Sequence, residues 1–510
     1  MLARLIRLIR QVMYRMGLIR GIQSVAQLDV ATDEKHYQRI EMWKQLYRGY
    51  LEKDMEGEPW HQVAYKTING TKTRRRHSLN MPKVIAEEMA RLVFNEKCQI
   101  NISDPTFSDE VQEVLRKNDF YKRFQNYLEY TFALGGMVAK TYVEPGKDGQ
   151  PELKVGFVTA DCFLPVSWKG DKITEGVFIN QLKRRDKWYT HLEWHRWEGQ
   201  TYVIRNELYE ATNPNEIGVR TALSTLYEDL QEEVRIENLS RPLFVYFKPN
   251  VANNFDTQSP LGISIYANAL DTLKAIDIAF DSLVREFRLG KKRIIVPATA
   301  VKTVVDPVTG DMHRYFDADD EVYQAFNFQD PELQKPIDIT VEIRVEEHVK
   351  AIQALLDILA MQIGFSTGTF TFDGRGVKTA TEVVSENSKT FRTKNSHEVI
   401  VEEGLKELIT SIAEVAQLYS LFAVPQEYEI TIDFDDSIAE DRDSNADYYL
   451  KLKNGGIISA KTAIMRILGY TEEQAEAELQ RIAAESRQVT GLDVELLGLN
   501  MGGEAENAES

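Results

Sequence analysis

Cysteine is nearly missing from this chain, which has 510 residues and only Cys98 and Cys162. Two isolated thiols build neither a disulfide framework nor a thiolate metal site, and they fit a reducing cytoplasm. No run of about 18 apolar residues is present to span a bilayer. Basic charge is also in deficit. A formal charge of -18 argues against a surface that wraps nucleic acid tightly as a whole, and leaves room only for a local basic element. HExxH, GxSxG and paired-cysteine zinc spacings are all missing, and the many acids fall in no spacing that marks general acid/base work. No enzyme, cofactor or metal is therefore expected, and no tandem repeat of fixed period is seen.

The remaining composition, 43% hydrophobic and 27% charged, is ordinary for a soluble globular protein, and the length suits two to four domains. The stretch from Gly364 to Ser420 organises the rest. Val349, Ile352, Leu356, Leu359 and Ile363 make one apolar helical stripe that Gly364 is placed to close. Gly368, Gly374 and Gly376 then punctuate a Thr/Phe-rich segment with Phe370 and Phe372 two apart, which predicts a mobile loop with two aromatic anchors. Thr379-Ala-Thr-Glu382 is a capping-box sequence, so a new helix should begin there. Its later half carries Leu405, Leu408, Ile412, Val415 and Tyr419 on a buried face. Its earlier half has Lys389, Arg392 and Lys394 around Phe391 and no acid between Asn387 and Ser396. That half should meet another subunit, an anion or water.

At the N-terminus Arg4, Arg7, Arg10, Arg15 and Arg20 alternate with Leu, Ile, Val and Met, and the first acid is Asp29. The arginines break every apolar run, so a secretory signal is not expected. The segment reads first as an amphipathic arm docking on protein, and second as a contact to lipid or nucleic acid. Residues 30–60 look helical up to the Gly57/Pro59 break, Thr71–His77 reads as a basic loop, and Met81–Phe94 and 110–134 read as helices. Short strand-like runs from Val138 to Leu208 predict an antiparallel meander on a helical base, hence an α+β domain. A helix of about 28 residues, roughly 42 Å long, is expected from the Asp256–Gly262 turn to about Leu289. Its charged face holds Asp277, Asp281, Arg285 and Arg288 at ion-pair spacings. Beyond Lys291-Lys292-Arg293 come strands at 294–296, 301–305 and 312–315 and an acidic patch of Asp317, Asp319, Asp320 and Glu321. The chain is helical again by Glu346, so two long helices bracket an insertion of roughly 50 residues. A strand follows Pro425, residues 438–490 are helical, and the Gly/Glu/Asn-rich tail from Gly491 has the composition of disorder.

Two near-matches to chemical motifs are weaker than bland alternatives. Gly374-Arg-Gly-Val-Lys378-Thr379 resembles a phosphate loop, but Val377 stands where the motif needs glycine. His191, Glu193 and His195 share one face of a predicted strand and could collect a metal. A polar strand face beside Trp194 and Trp197 is the simpler account.

In order and texture the chain resembles the portal proteins of tailed bacteriophages, in particular the subfamily common in phages of Gram-positive bacteria. The stretches that carry this are SPLGISIYANALDTLKAIDIAFDSLVREFRLGKKRIIVP, GFSTGTFTFDGRGVKTATEVVSENSKTF with HEVIVEEGLKEL, and ADYYLKLKNGGIISAKTAIMRILGYTEEQAEAEL. The resemblance covers most of residues 30–490. It implies an α+β portal fold with a wing over 1–255 (arm 1–28, meander 138–208) and stem helices at 256–289 and 346–363. A clip at 290–345, a tunnel loop at 364–378, a long kinked helix with wing closure at 379–437, a crown at 438–490 and a disordered tail at 491–510 complete it. It also implies a ring, typically of twelve subunits, at one capsid vertex, assembled in the host cytoplasm. Double-stranded DNA passes through its channel without sequence specificity. The partners implied are the terminase large subunit, a head-tail adaptor, and the major capsid and scaffolding proteins, with no membrane.

Twelve chains would carry roughly -216 charges, a repelling wall with a few local contacts. On this resemblance Arg375, Lys378, Lys389, Arg392 and Lys394 form basic rings that touch phosphates, and Phe370 and Phe372 anchor the loop rather than stack on bases. Lys291, Lys292, Arg293, Asp317, Asp319, Asp320 and Glu321 would meet partners at the clip. Asp277, Asp281, Arg285 and Arg288 would pair along the stem helix or between neighbouring subunits. The alternative is a non-ring structural or scaffold protein of the virion that uses the 260–363 helical hairpin as a partner site, although no sustained heptad supports it.

Overall fold

Tyr37, Ile40, Trp43 and Leu46 recur at three-residue steps and are all buried, which fixes the inner face of the first helix, α1 (Glu34–Tyr47). The computed structural model describes residues 34–67, 70–146, 149–214, 217–290, 294–295, 302–305, 312–315, 337–338, 342–371, 388–434, 442–468, 470 and 474–483. The helix expected over 30–60 stops at Tyr47. Gly49 takes a left-handed φ of 78°, and the Leu51 amide donates to His61 Nδ1 (2.8 Å), which folds 51–61 back as a loop. The basic loop expected at 71–77 is mostly strand, because β1 (Gln62–Thr67) and β2 (Gly70–Arg75) pair as a hairpin.

Helix α2 (Met81–Val93) opens on Pro82 and buries Ile85, Met89 and Val93, as its periodicity predicts. After β3 (Gln99–Ile102), the single helix expected over 110–134 is two. These are α3 (Pro105–Lys117), capped by Asp104 through the Phe107 amide, and α4 (Phe120–Leu134). The break lies at Asn118 and Asp119, the latter at a left-handed φ of 48°. Asn118 works across space. Its side chain accepts from Val155 N (3.0 Å) and donates to Leu153 O (3.1 Å) on the strand β5 (Pro151–Thr159), while Arg123 donates to Val155 O (3.1 Å). These groups cap a strand edge that would otherwise offer unpaired amides.

The meander divides between two sheets. β4 (Met137–Pro145) and β5 (Pro151–Thr159) pair with each other. β6 (Phe163–Lys169), β7 (Lys172–Arg184), β8 (Lys187–Glu198) and β9 (Thr201–Ala211) run antiparallel in sequence order. β10 (Val219–Thr221) and β11 (Glu233–Ile236) share the free edge of β9, and β12 (Phe244–Phe247) joins β4. The two sheets meet through Phe163, Phe178 and Phe244, whose rings lie 5.1–5.7 Å apart.

Helix α5 (Leu270–Leu289) has 20 residues, about 30 Å, and is shorter than expected. Residues 261–266 are instead drawn against the end of α4. Ile265 N donates to Phe132 O (3.0 Å), and a Cβ on Gly262 would lie 2.4 Å from Gly135 O, so only glycine allows that approach. Between α5 and the next helix, β13 (Ile294–Ile295) pairs with β16 (Ile337–Asp338), and β14 (Lys302–Val305) with β15 (Met312–Tyr315). Helix α6 (Val345–Ile363) runs back along α5, with Arg344 and His348 against Glu286. Helix α7 (Ser388–Leu418) has 31 residues and buries Val401, Leu405, Leu408, Ile412 and Val415. β17 (Ile430–Asp433) pairs with β3, which brings the end of this unit to its beginning.

The chain divides into two compact units, 1–374 with 389–435, and 375–388 with 436–510. The smaller unit contains α8 (Arg442–Asn454), α9 (Ala460–Leu468) and a helical stretch at 474–483, with Lys461 and Glu476 paired at 2.6 Å. Among the described residues no helix is long and apolar enough to cross a membrane. The tail from Gly491 and the first turns of the helix expected from Thr379 lie outside the described residues.

Candidate functional site

The organising stretch begins as the sequence predicts. Gly364 ends α6 in the left-handed region (φ 87°), and a Cβ there would meet Thr393 Oγ1 at 2.7 Å. The segment after it is bonded to both flanking helices as far as residue 371, and the rest of the loop expected from the sequence lies outside the described residues. Phe365 is fully buried, and Ser366 and Thr390 exchange hydrogen bonds, amide to hydroxyl in both directions (2.8 and 3.2 Å). Thr393 Oγ1 donates to Gly364 O (2.7 Å), Gly368 N to Asp357 Oδ1 (3.1 Å), and Gln353 Nε2 to Phe370 O (2.9 Å). Phe370 is half-buried, with its ring 5.3 Å from that of Phe365. Residues 364–371 are therefore pinned between α6 and α7. Sequence reasoning missed Gln353, Asp357, Thr390 and Thr393. Only their helical spacing, three or four apart within each pair, could have marked them as one face.

The three basic residues at the start of α7 have different roles. Lys389 Nζ donates to Met361 O (2.5 Å), where a cation suits the negative end of α6. Arg392 is exposed. Lys394 is corrected: its side chain is 1% exposed and paired with Glu398 at 2.7 Å, so it cannot reach a ligand from the surface. One helical turn after Lys394, His397 accepts from Asn250 N (3.0 Å) against the edge of Phe132. Burial lowers its pKa to about 4, so it stays neutral.

The charged face expected on α5 is corrected in half its members. Asp277 is buried, accepts from Trp60 Nε1 (3.0 Å) and lies 3.2 Å from His61 Nε2. Asp281 is also buried and accepts from both terminal nitrogens of Arg74 (2.8 and 2.6 Å) and from the His77 amide (3.2 Å). Burial opposes its charge, but Arg74 outweighs that and holds the pKa at about 2. Neither acid is available to Arg285 or to a neighbouring chain, because Trp60 and His61, just before β1, hold Asp277 and Arg74, on β2, holds Asp281. Arg285 and Arg288 are exposed. Phe372, Arg375, Lys378, Lys291, Lys292, Arg293, Asp317, Asp319, Asp320 and Glu321 lie outside the described residues.

His191, Glu193 and His195 do share a strand face, and their capacity is used internally. Tyr202 Oη accepts from Leu243 N (3.2 Å) and so donates to His195 Nδ1 (2.8 Å). His195 Nε2 then donates to Glu193 Oε1 (2.7 Å), and Lys140 Nζ reaches Glu193 Oε2 (2.6 Å). Burial would raise the Glu193 pKa, but Lys140 and His195 together hold it well below the carboxylate range. His191 Nε2 lies 3.0 Å from Asn206 Oδ1. Among the described residues no group of three such side chains is placed to hold a metal ion.

Exposed apolar side chains complete the surface. Ile278, Phe287 and Leu289 on α5, and Ile358 and Met361 on α6, are 42–56% exposed. A family model described as phage portal protein, SPP1 Gp6-like, matches residues 29–491. No curated protein matches the chain.

Proposed function

This chain belongs to the phage portal proteins of the SPP1 Gp6-like family, and from that premise we propose that it assembles into a ring whose channel passes double-stranded DNA at one capsid vertex. The observation that carries the proposal is the antiparallel α5–α6 hairpin with large apolar side chains left uncovered on both helices, among them Phe287 at 51% exposed. A single chain gains nothing by exposing them, and burial against neighbouring copies would stabilise a ring. In this assignment the hairpin is the stem, residues 290–345 the clip that docks the terminase and the head-tail adaptor, and 438–490 the crown. The unit of helices and two sheets is the wing.

The tunnel loop then has two parts. Residues 364–371 form a fixed shoulder, and Arg375 and Lys378, next in the sequence, are the residues assigned to phosphate contact. Lys389 and Arg392, one turn apart at the head of α7, add basic charge beside the shoulder. A few cations per subunit on a strongly negative ring let phosphates touch the wall without being held, because each firm phosphate contact releases counterions and adds affinity. Negative-stain images of the purified chain test the assembly: rings with a central hole support it, and a uniform population of monomers sinks it. Replacing Arg375 and Lys378 together by alanine should leave rings intact and impair packaging. Normal packaging by that variant removes the loop from DNA contact.

A further inference from the structure

We propose that the outer flank of α5 in one chain packs on the outer flank of α6 in a second copy, with Arg285 of the first chain paired to Glu347 of the second. The contact presupposes the ring proposed above and names the surfaces that would build it. Helix α5 turns Ile278, Ser282 and Arg285 to solvent, with Ala275 half-buried just before them. Helix α6 turns out Glu347, Ala351, Ala354 and Ile358. Both rows advance by steps of three and four residues, so each is one helix face. Each face lies opposite its helix's buried residues, which are Leu273 and Ile276 on α5 and Ile352, Leu356 and Leu359 on α6. The hairpin therefore has two outward flanks of different composition, as a head-to-tail contact that closes into a ring requires.

The two flanks match in height. Glu286 meets both Arg344 (3.2 Å) and His348 (3.6 Å) across the hairpin, and antiparallel helices of equal rise keep that register along their length. Arg285 is then level with Glu347, Ser282 with Ala351, Ile278 with Ala354 and Ala275 with Ile358, each to within a residue. Copies related by a ring axis stand at equal height, so levels within a hairpin that runs along the axis become facing positions between copies. Each isoleucine then faces an alanine, as a knob faces a hole. Ser282 can be covered without loss, because its hydroxyl donates to Ile278 O (2.8 Å).

Charge decides which flank meets which. Glu346 lies 3.5 Å from Lys350, and Arg344, though near Glu347, is held by Glu286. Arg285 and Glu347 form no salt bridge among the described residues. Two α5 flanks would bring arginines together and two α6 flanks glutamates, so only the unlike pairing is favoured.

Charge reversal in the full chain tests the pair. Arg285→Glu or Glu347→Arg alone should raise the protein concentration needed for rings about tenfold, read by light scattering, and the chain with both changes should assemble like the parent. A double variant no better than the singles overturns the pairing. Cross-linking supplies a second readout should a reversal variant misfold. Chains with Ile278→Cys are mixed during assembly with chains carrying Ala354→Cys and then oxidised. A disulfide between unlike chains, absent when either variant is oxidised alone, supports the proposal. Rings in negative stain without that link overturn this contact and leave the ring reading standing, whereas a parent chain that stays monomeric overturns both.

Discussion

Arg74, on the β1–β2 hairpin, holds Asp281, in the middle of α5, through both terminal guanidinium nitrogens at 2.8 and 2.6 Å. The contact spans 207 residues of sequence and ties the hairpin to the helix assigned to the stem. Changing Arg74 to Ala leaves the enclosed Asp281 with only its His77 contacts and should cost about 2 kcal/mol of stability. Thermal unfolding of the variant would show it. An unchanged melting temperature means that solvent replaces the guanidinium without loss.

Lys394 and Arg392 are two residues apart and should behave oppositely. Lys394→Ala removes a fully buried ammonium paired with Glu398 and should destabilise the chain by about 3 kcal/mol. Arg392→Ala should stay within about 0.5 kcal/mol and act instead on packaging. Chemical denaturation of both variants separates them, and equal losses would place Arg392 in a structural role.

Acid should loosen the anchor of α7. His397 has a folded pKa of about 4, below the usual value of about 6.5, so the unfolded chain binds protons more readily. Its contribution is complete above pH 6.5 and is lost as pH falls toward 4. Burial lowers His191 and His195 in the same direction. The melting temperature should drop across that window, and His397→Gln should make the drop shallower. A profile as steep as that of the parent chain would show that His397 does not carry the effect.

Asn118→Ala removes the acceptor for Val155 N and the donor to Leu153 O at once. We expect a loss of about 2–3 kcal/mol and faster amide exchange at Val155, because the edge of β5 loses its cap. Exchange that stays slow there would mean Arg123 suffices.

Phe287→Asp places a charge on the exposed side of α5, where the side chain is 51% exposed. The variant should fold with parental stability and fail to form rings, as read by light scattering. Rings of normal mass would remove Phe287 from the subunit interface.

Much of the architecture was legible because burial imposes a period that one strand or helix carries by itself. The stripe Ile352, Leu356, Leu359, Ile363, its stop at Gly364 and the strand alternation through His191, Glu193 and His195 are local patterns. Which acid meets which base was not local. Asp281 and Arg285 have the spacing of an intrahelical pair, yet Arg74 is brought in from 207 residues away and satisfies Asp281 bidentately. Lys394 looked like a surface cation until Glu398 and the burial of its helix face removed it from solvent. The break at Asn118 was invisible for the same reason, since its partners are on β5. Sequence by itself settled where chain segments bury and turn, because those preferences act within a few residues. Only the tertiary structure decided which charges stay available for function, because a carboxylate or an ammonium pairs with whatever the fold places within about 3 Å of it.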